Sequence, residues 1–319
     1  MESKLVPEKG FPFFTVSSGA VKNQSLLKIA KTLARLLRGL IWAIRFLQRE
    51  KPAAVIGVGG YVSVPICFAA FVLRIPIYLQ EQNVSVGIAN RVLGKLAKKV
   101  FLGFEEATAS FRSSKCVISG NPIRKEFFNP DYPTYRAEAN CLVVLGGSQG
   151  AKAVNDVVAS HLAQLKERYP GLTIVHQTGK KDYESVENAY RASLGKGYEV
   201  SAFITDMASA YAKASLVIAR SGALTVSELI AVGRPAILVP FPRRGQNDQT
   251  ANAALLAKHG AAKVVEQGES FSERFWRTFE ETFQPSQLAQ MAKGYQELRK
   301  GGALATISGH ISKDLGWSG

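Results

Sequence analysis

Gly57-Val58-Gly59-Gly60-Tyr61-Val62-Ser63-Val64-Pro65 closes an apolar run and opens a helical pattern, and Gly146-Gly147-Ser148-Gln149-Gly150-Ala151 does the same later in the chain. A glycine-rich turn between a strand and a helix aims backbone N–H groups outward at the helix N-terminus, where they can cradle a phosphate. Two such turns imply two nucleotide-fold halves. Around them, apolar strand-like runs alternate with helical ones. The first half has Ala53 to Val58, Ile75 to Gln80, Lys99 to Gly103 and Cys116 to Ser119; the second has Cys141 to Leu145, Leu172 to His176, Val200 to Ile204, Leu216 to Ala219, Ala236 to Val239 and Lys263 to Val265. This rhythm predicts an α/β protein made of parallel sheets flanked by helices. A short strand is also predicted at Phe13 to Val16, Asn129-Pro130-Asp131-Tyr132-Pro133 reads as a linker, and the tail from about Gln287 to Trp317 reads as helical.

The 319 residues suffice for two domains with their own cores, and a 46% hydrophobic content fits a globular chain. No run of about 18 uncharged apolar residues occurs, and Met1-Glu2-Ser3-Lys4 lacks the basic-then-apolar order of a secretory signal, so the cytosol is the expected compartment. Cys67, Cys116 and Cys141 sit in apolar runs without disulfide or zinc spacing and read as core residues. The formal charge of +15 calls for an anionic partner, which leaves nucleic acid, anionic lipid and diphosphates open. No nucleic-acid-binding motif is present, and none of the aromatics interleave with basic residues along a strand.

From about Ser25 to Arg49 the pattern is a long helix, its faces placed at about 100° per residue. Leu26, Ile29, Leu33, Leu36, Leu37, Leu40, Ile41, Ile44 and Leu47 share the face expected to be core. Lys28, Lys31, Arg35, Arg38, Arg45 and Arg49 fall on the opposite side, with Trp42 and Phe46 inside the same arc. The plain reading is a solvated face. A basic face that carries Trp and Phe instead suits an anionic membrane surface, and that is the expectation here.

In the second half, the turn after Cys141 to Leu145 opens a helix with Val154, Val157 and Val158, and Ser148 adds a hydroxyl that can meet a diphosphate. Arg220-Ser221-Gly222-Ala223-Leu224-Thr225-Val226-Ser227-Glu228 lies between a strand and a helix ending at Gly233-Arg234-Pro235. Thr225 falls in the first helical turn, where its hydroxyl and N–H can hold a phosphate. Glu228 is one turn on. It reads equally as a carboxylate for a ribose diol or as an acidic residue offsetting the helix dipole. The first-half turn is an imperfect dinucleotide fingerprint, because Val62 stands at the third glycine position and Pro65 sits in the first helical turn; Glu81, at a later strand end, would serve ribose in that reading.

Taken together, these turns with Glu81-Gln82-Asn83, Gly120-Asn121-Pro122-Ile123-Arg124, Phe203-Ile204-Thr205-Asp206-Met207 and Gln249-Thr250-Ala251-Asn252-Ala253 resemble the MurG family of UDP-N-acetylglucosamine transferases, over nearly the whole chain. The resemblance implies the glycosyltransferase architecture of two Rossmann-like, doubly wound domains: residues 1–133 for acceptor and membrane, 134–300 for donor, and 301–319 as a helix packing back on the first domain. It implies N-acetylglucosamine transfer from UDP-N-acetylglucosamine to the 4-hydroxyl of an undecaprenyl-diphosphate-linked N-acetylmuramoyl peptide, with inversion, at the cytoplasmic face of the inner membrane. The donor residues implied are Asn83, Arg124, Ser148, Ile204, Ala223, Leu224, Thr225, Val226, Ser227, Glu228 and Gln249. Of these, Ile204 reads the base through its backbone, Glu228 binds ribose and Gln249 the sugar. Gly59, Gly60 and Tyr61 face the lipid diphosphate. Asp248 stands where many members have histidine. No Asp-x-Asp pair offers a metal site, and neither cofactor nor nucleic acid is expected.

Family members begin with an apolar strand, a Gly-Gly-Thr-Gly-Gly-His loop, a helix and a second strand, whereas Met1 to Pro7 resembles the segment after that second strand. The expectation is therefore a first domain that starts late, at an internal methionine of a longer chain. The catalytic base expected from the family's loop histidine has no match among His161, His176, His259 and His310. Another nucleotide-sugar transferase acting on a lipid, or a donor-binding chain without activity, remains the alternative.

Overall fold

The computed structural model describes residues 2–16, 26–128, 132–147, 150–242, 248–298 and 301–317. Ten parallel strands form two sheets among them. The first sheet holds β1 (Val55–Gly57), β2 (Ile77–Glu81), β3 (Lys99–Leu102) and β4 (Cys116–Ile118), in the order β1-β2-β3-β4. The second holds β5 (Cys141–Leu145), β6 (Thr173–Gln177), β7 (Tyr198–Ser201), β8 (Leu216–Ala219), β9 (Ala236–Leu238) and β10 (Ala262–Val264), in the order β10-β9-β8-β5-β6-β7. Every strand expected in the two alternations is present. The helices of the first half are α1 (Glu2–Glu8), α2 (Leu26–Glu50), α3 (Ser63–Val72) and α4 (Ile88–Leu93). Those that follow are α5 (Lys152–Ser160), α6 (Leu162–Arg168), α7 (Tyr183–Ser193), α8 (Met207–Lys213), α9 (Ala223–Val232), α10 (Asp248–Lys258), α11 (Phe271–Thr282), α12 (Pro285–Lys293) and α13 (Ala303–Leu315).

Strands β5 and β8 are apolar at every position because helices cover both faces of their sheet. Alternation along β5 sends Cys141, Val143 and Leu145 into one cluster with Tyr211, Val226, Leu229 and Leu256, and Leu142 and Val144 into the other with Val154, Val158, Phe275 and Phe279. Where β5 meets β8 the chain order reverses, and at such a switch point the following loops part and leave a crevice at the carboxyl ends of the strands. The turn after β5 and the start of α9 both open onto it. The first sheet has no such reversal among the described residues: β1 is its edge, with Ile56 half exposed.

Three local expectations change. Residues 11–16 are not a strand, since no neighbour pairs with them, and α1 precedes them. On α2 the buried face is Gly39, Ala43 and Leu47, with Leu40, Ile44 and Phe46 partly covered, while Leu37 and Ile41 lie exposed. The tail is helical as expected but in two pieces, the second of which, α13, lies within the helix expected over 301–319. Gly294 ends α12, where an added Cβ would collide with the His259 carbonyl oxygen, and Gly302, at φ +79°, starts α13. Ile307 and Ile311 of α13 pack on Tyr78 and Phe101 of the first sheet, and Asp314 accepts from the Tyr78 hydroxyl at 3.2 Å and Lys99 Nζ at 3.3 Å.

Arg234, 1% exposed, fastens the connecting segment to the second half. It donates to the carbonyls of Tyr211, Val232 and Pro133 and lies over the rings of Tyr132 and Tyr135 at 5.6 and 5.5 Å.

Candidate active site

Gly222 N-caps α9 in an extended conformation, so the N–H groups of the first turn face the crevice. Leu224 is exposed there, Thr225 is half-buried, and Ala223 is buried in the core beneath them. Val226 is fully buried in the core, and the Ser227 hydroxyl donates back to the Ala223 carbonyl, so neither side chain reaches the crevice. Glu228 does. Its Oε1 accepts from Arg124 at 3.2 Å and its Oε2 from the Tyr211 hydroxyl at 3.2 Å. Burial raises this carboxyl above its ordinary value, against the pull of Arg124 and Tyr211.

Across the crevice, Gly147 and Gly150 take φ +71° and +80°, and a Cβ on Gly150 would approach the Thr178 carbonyl to 2.9 Å, so both turn positions require glycine. Ser148 lies outside the described residues. The backbone N–H of Ile204 is already engaged, donating to Gln177 Oε1 at 2.8 Å. Gln249 accepts from the Phe241 N–H at 2.9 Å through Oε1, its NH2 has no hydrogen bond to another of the described residues, and its carbonyl accepts from the buried Ser221 hydroxyl.

The two halves meet through buried amides. Asn252, fully buried, donates to Asn83 Oδ1 and to the Ser221 carbonyl, both at 3.1 Å, and accepts from the Val84 N–H at 2.9 Å. Asn121 donates to the Ser227 hydroxyl and the Gln82 carbonyl, both at 2.9 Å. Asn83 is thus brought to the donor side of the cleft. Glu81, 2% exposed, accepts from the Asn83 N–H and from Asn90 Nδ2, both at 2.9 Å, so it orders the loop from within and is closed to any ribose. Gly59 and Gly60, at φ +93° and +74°, form the turn before α3, and Tyr61 stands partly exposed on it. His161 stacks on Trp276, His176 is buried against Tyr190 and Asn155 and held neutral down to about 3, His259 faces Glu297, and His310 lies against Lys99.

A crevice with two strand-to-helix turns, a carboxylate one helical turn in and a facing half that closes it is built for a nucleotide diphosphate. Residues 1–102 match the glycosyltransferase family 28 N-terminal domain and residues 141–305 the family's C-terminal domain. A relative from Myxococcus xanthus, "UDP-N-acetylglucosamine--N-acetylmuramyl-(pentapeptide) pyrophosphoryl-undecaprenol N-acetylglucosamine transferase", is 40% identical over 92% of this chain and 77% of its own length. One of the same name from Anaeromyxobacter dehalogenans is 42% identical over 84% of this chain and 70% of its own. The crystal structure of Acinetobacter baumannii MurG superposes with a TM-score of 0.77 at 32% identity, covering 98% of this chain and 88% of that one. The chain belongs to the MurG family.

As a MurG-family glycosyltransferase, the chain carries polar groups outside its sequence motifs, Gln177 and Tyr211, which with Asn252 from the Gln249 motif hold the groups expected to touch ligand. No helix among the described residues is long and apolar enough to cross a membrane. On the basic face of α2, Arg38 and Arg45 are exposed, Trp42 is 36% exposed, and Phe46 stacks on it at 4.9 Å. The side chains of Lys28, Lys31 and Arg35 lie outside the described residues. Beside α2, α3 exposes Phe68 and Phe71, a pair missed because α3 is apolar all round and reads as core.

Proposed function

We propose that this chain transfers N-acetylglucosamine from UDP-N-acetylglucosamine to the 4-hydroxyl of an undecaprenyl-diphosphate-linked N-acetylmuramoyl peptide, with inversion, while bound peripherally at the inner, cytoplasmic membrane face. The observation that carries this reading is the switch-point crevice itself, in which Thr225, Glu228 and Gln249 converge opposite Asn83 and Arg124. In it, Glu228 takes the ribose diol, the Ile204 carbonyl the base, the α9 N-terminus with Thr225 the diphosphate, and the Gln249 NH2 with Asn83 the sugar. UDP gains charge as it leaves the anomeric carbon. Fixed N–H dipoles at the α9 terminus stabilise that charge without reorganising, and Arg124 can add to them once released from Glu228. The turn Gly59-Gly60-Tyr61 then receives the acceptor's diphosphate, and the half exposed aromatics of α2 and α3 rest among lipid headgroups with Arg38 and Arg45 on anionic lipid.

The test is UDP release from UDP-N-acetylglucosamine by the purified chain, with and without the lipid-linked acceptor in anionic vesicles. Acceptor-dependent release with a β-linked disaccharide product is expected. Donor binding without transfer would reduce the reading to a donor-binding protein, and transfer to a different lipid acceptor alone would replace the acceptor.

A further inference from the structure

Four side chains close a ring at the edge of the donor crevice. The Arg124 guanidinium lies 5.4 Å over the Phe127 ring, Phe127 meets Tyr211 edge-on at 5.8 Å and 70°, the Tyr211 hydroxyl donates to Glu228 Oε2, and Glu228 Oε1 returns to Arg124. The two partners of the carboxylate differ in kind. Arg124 is 49% exposed and free to swing away, whereas Tyr211 is fully buried, its ring held by Phe127 and its own carbonyl held by Arg234 at 2.8 Å.

We propose that Tyr211 is a positioning residue of the donor site: its hydroxyl fixes the rotation of the Glu228 carboxylate so that one lone pair on each oxygen faces the ribose diol. This rests on the reading of Glu228 as the ribose ligand. A carboxylate offers about four acceptor positions, and a vicinal diol needs one on each oxygen. With Tyr211 on Oε2, that oxygen cannot turn to Arg124, so the fork-to-fork pair that would occupy both oxygens does not form. Without the hydroxyl, the carboxylate rotates onto the guanidinium and the diol loses its partner. The phenol is a permanent donor in this place, because burial and the neighbouring carboxylate hold it far above its ordinary value.

The experiment is calorimetric binding of UDP and of 2′-deoxy-UDP to the wild-type chain, Tyr211→Phe and Phe127→Leu. The wild type should prefer UDP by about tenfold or more, the size of a hydrogen bond to a charged group. In Tyr211→Phe that preference should shrink to about twofold while the affinity for 2′-deoxy-UDP holds. Phe127→Leu, which keeps the hydroxyl but loosens the ring, should fall between. A preference unchanged in Tyr211→Phe, or equal losses for both ligands, would overturn the proposal and leave Glu228 on the ribose. A wild type indifferent to the 2′-hydroxyl would remove the ribose reading and the proposal with it. Should Tyr211→Phe not fold, a wild-type preference in Phe127→Leu is the overturning result.

Discussion

The two halves follow the same βαβ rhythm yet treat apolar surface in opposite ways. Among the described residues, eighteen of the twenty-three exposed large apolar side chains precede residue 129, so the second half has enclosed its apolar surface and the first presents it. In the second, β5 and β8 are covered on both faces, and the polar Thr225, Glu228 and Gln249 stand beside the exposed Leu224 at the crevice. In the first, Ile56 and Val58 at the β1 edge, Phe68 and Phe71 on α3, and Leu37, Ile41 and Trp42 on α2 remain open. In the proposed reading, the exposed aromatics of α2 and α3 are the side turned to the membrane, and the polar groups of the second half hold the small, charged donor.

The contrast breaks most sharply at matched phenylalanines. Phe279→Ala, in the packed cluster on α11, should cost about 3–5 kcal/mol in chemical denaturation, and a loss under about 1 kcal/mol would mean that the second half is not the tighter one. Next in size, Glu228→Ala should weaken UDP binding by about 1.5–3 kcal/mol with the fold intact, and unchanged calorimetry would remove the ribose assignment. The raised carboxyl adds a pH dependence with two signs. Ribose needs the ionised form, so UDP affinity should be lost as pH falls through the raised value. Folding has the opposite sign: the Glu228 contribution is fully present below its unfolded value and fades as pH rises through the folded one. A UDP titration with its acid limb at the ordinary glutamate position would contradict this.

On the first half, replacing Arg38 and Arg45 together by Ala should weaken flotation with anionic vesicles by about 1 kcal/mol per charge at low salt, an effect that added salt should erase. Flotation indifferent to charge and salt would return α2 to a solvated face. The smallest effect on stability is expected from Phe71→Ser, within about 0.5 kcal/mol because the ring is half exposed, while vesicle binding falls. A destabilisation like that of Phe279→Ala would place Phe71 in the core and end the comparison.

All ten strands were legible because short runs such as Cys141 to Leu145 are apolar throughout and bounded by turns, a signal that depends only on neighbours in the chain. Residues 11–16 misled because β propensity does not supply a neighbouring strand. The split tail was hidden in Gly294, whose need for hydrogen at Cα comes from His259, an element away. The same limit governs the site. Glycine turns and Glu228 can be found by spacing, but Tyr211, Gln177 and Asn252 act through partners 17, 27 and 169 positions distant. On α2 the helical period was right, yet which apolar residues face inward depends on where α3 lies, and Leu37 and Ile41 fall outside its cover.

Arg234 sets where the molecule can bend. The donors of its buried guanidinium fasten Pro133 to the body of the second half. Residues 132–135 therefore travel with that half as one rigid piece.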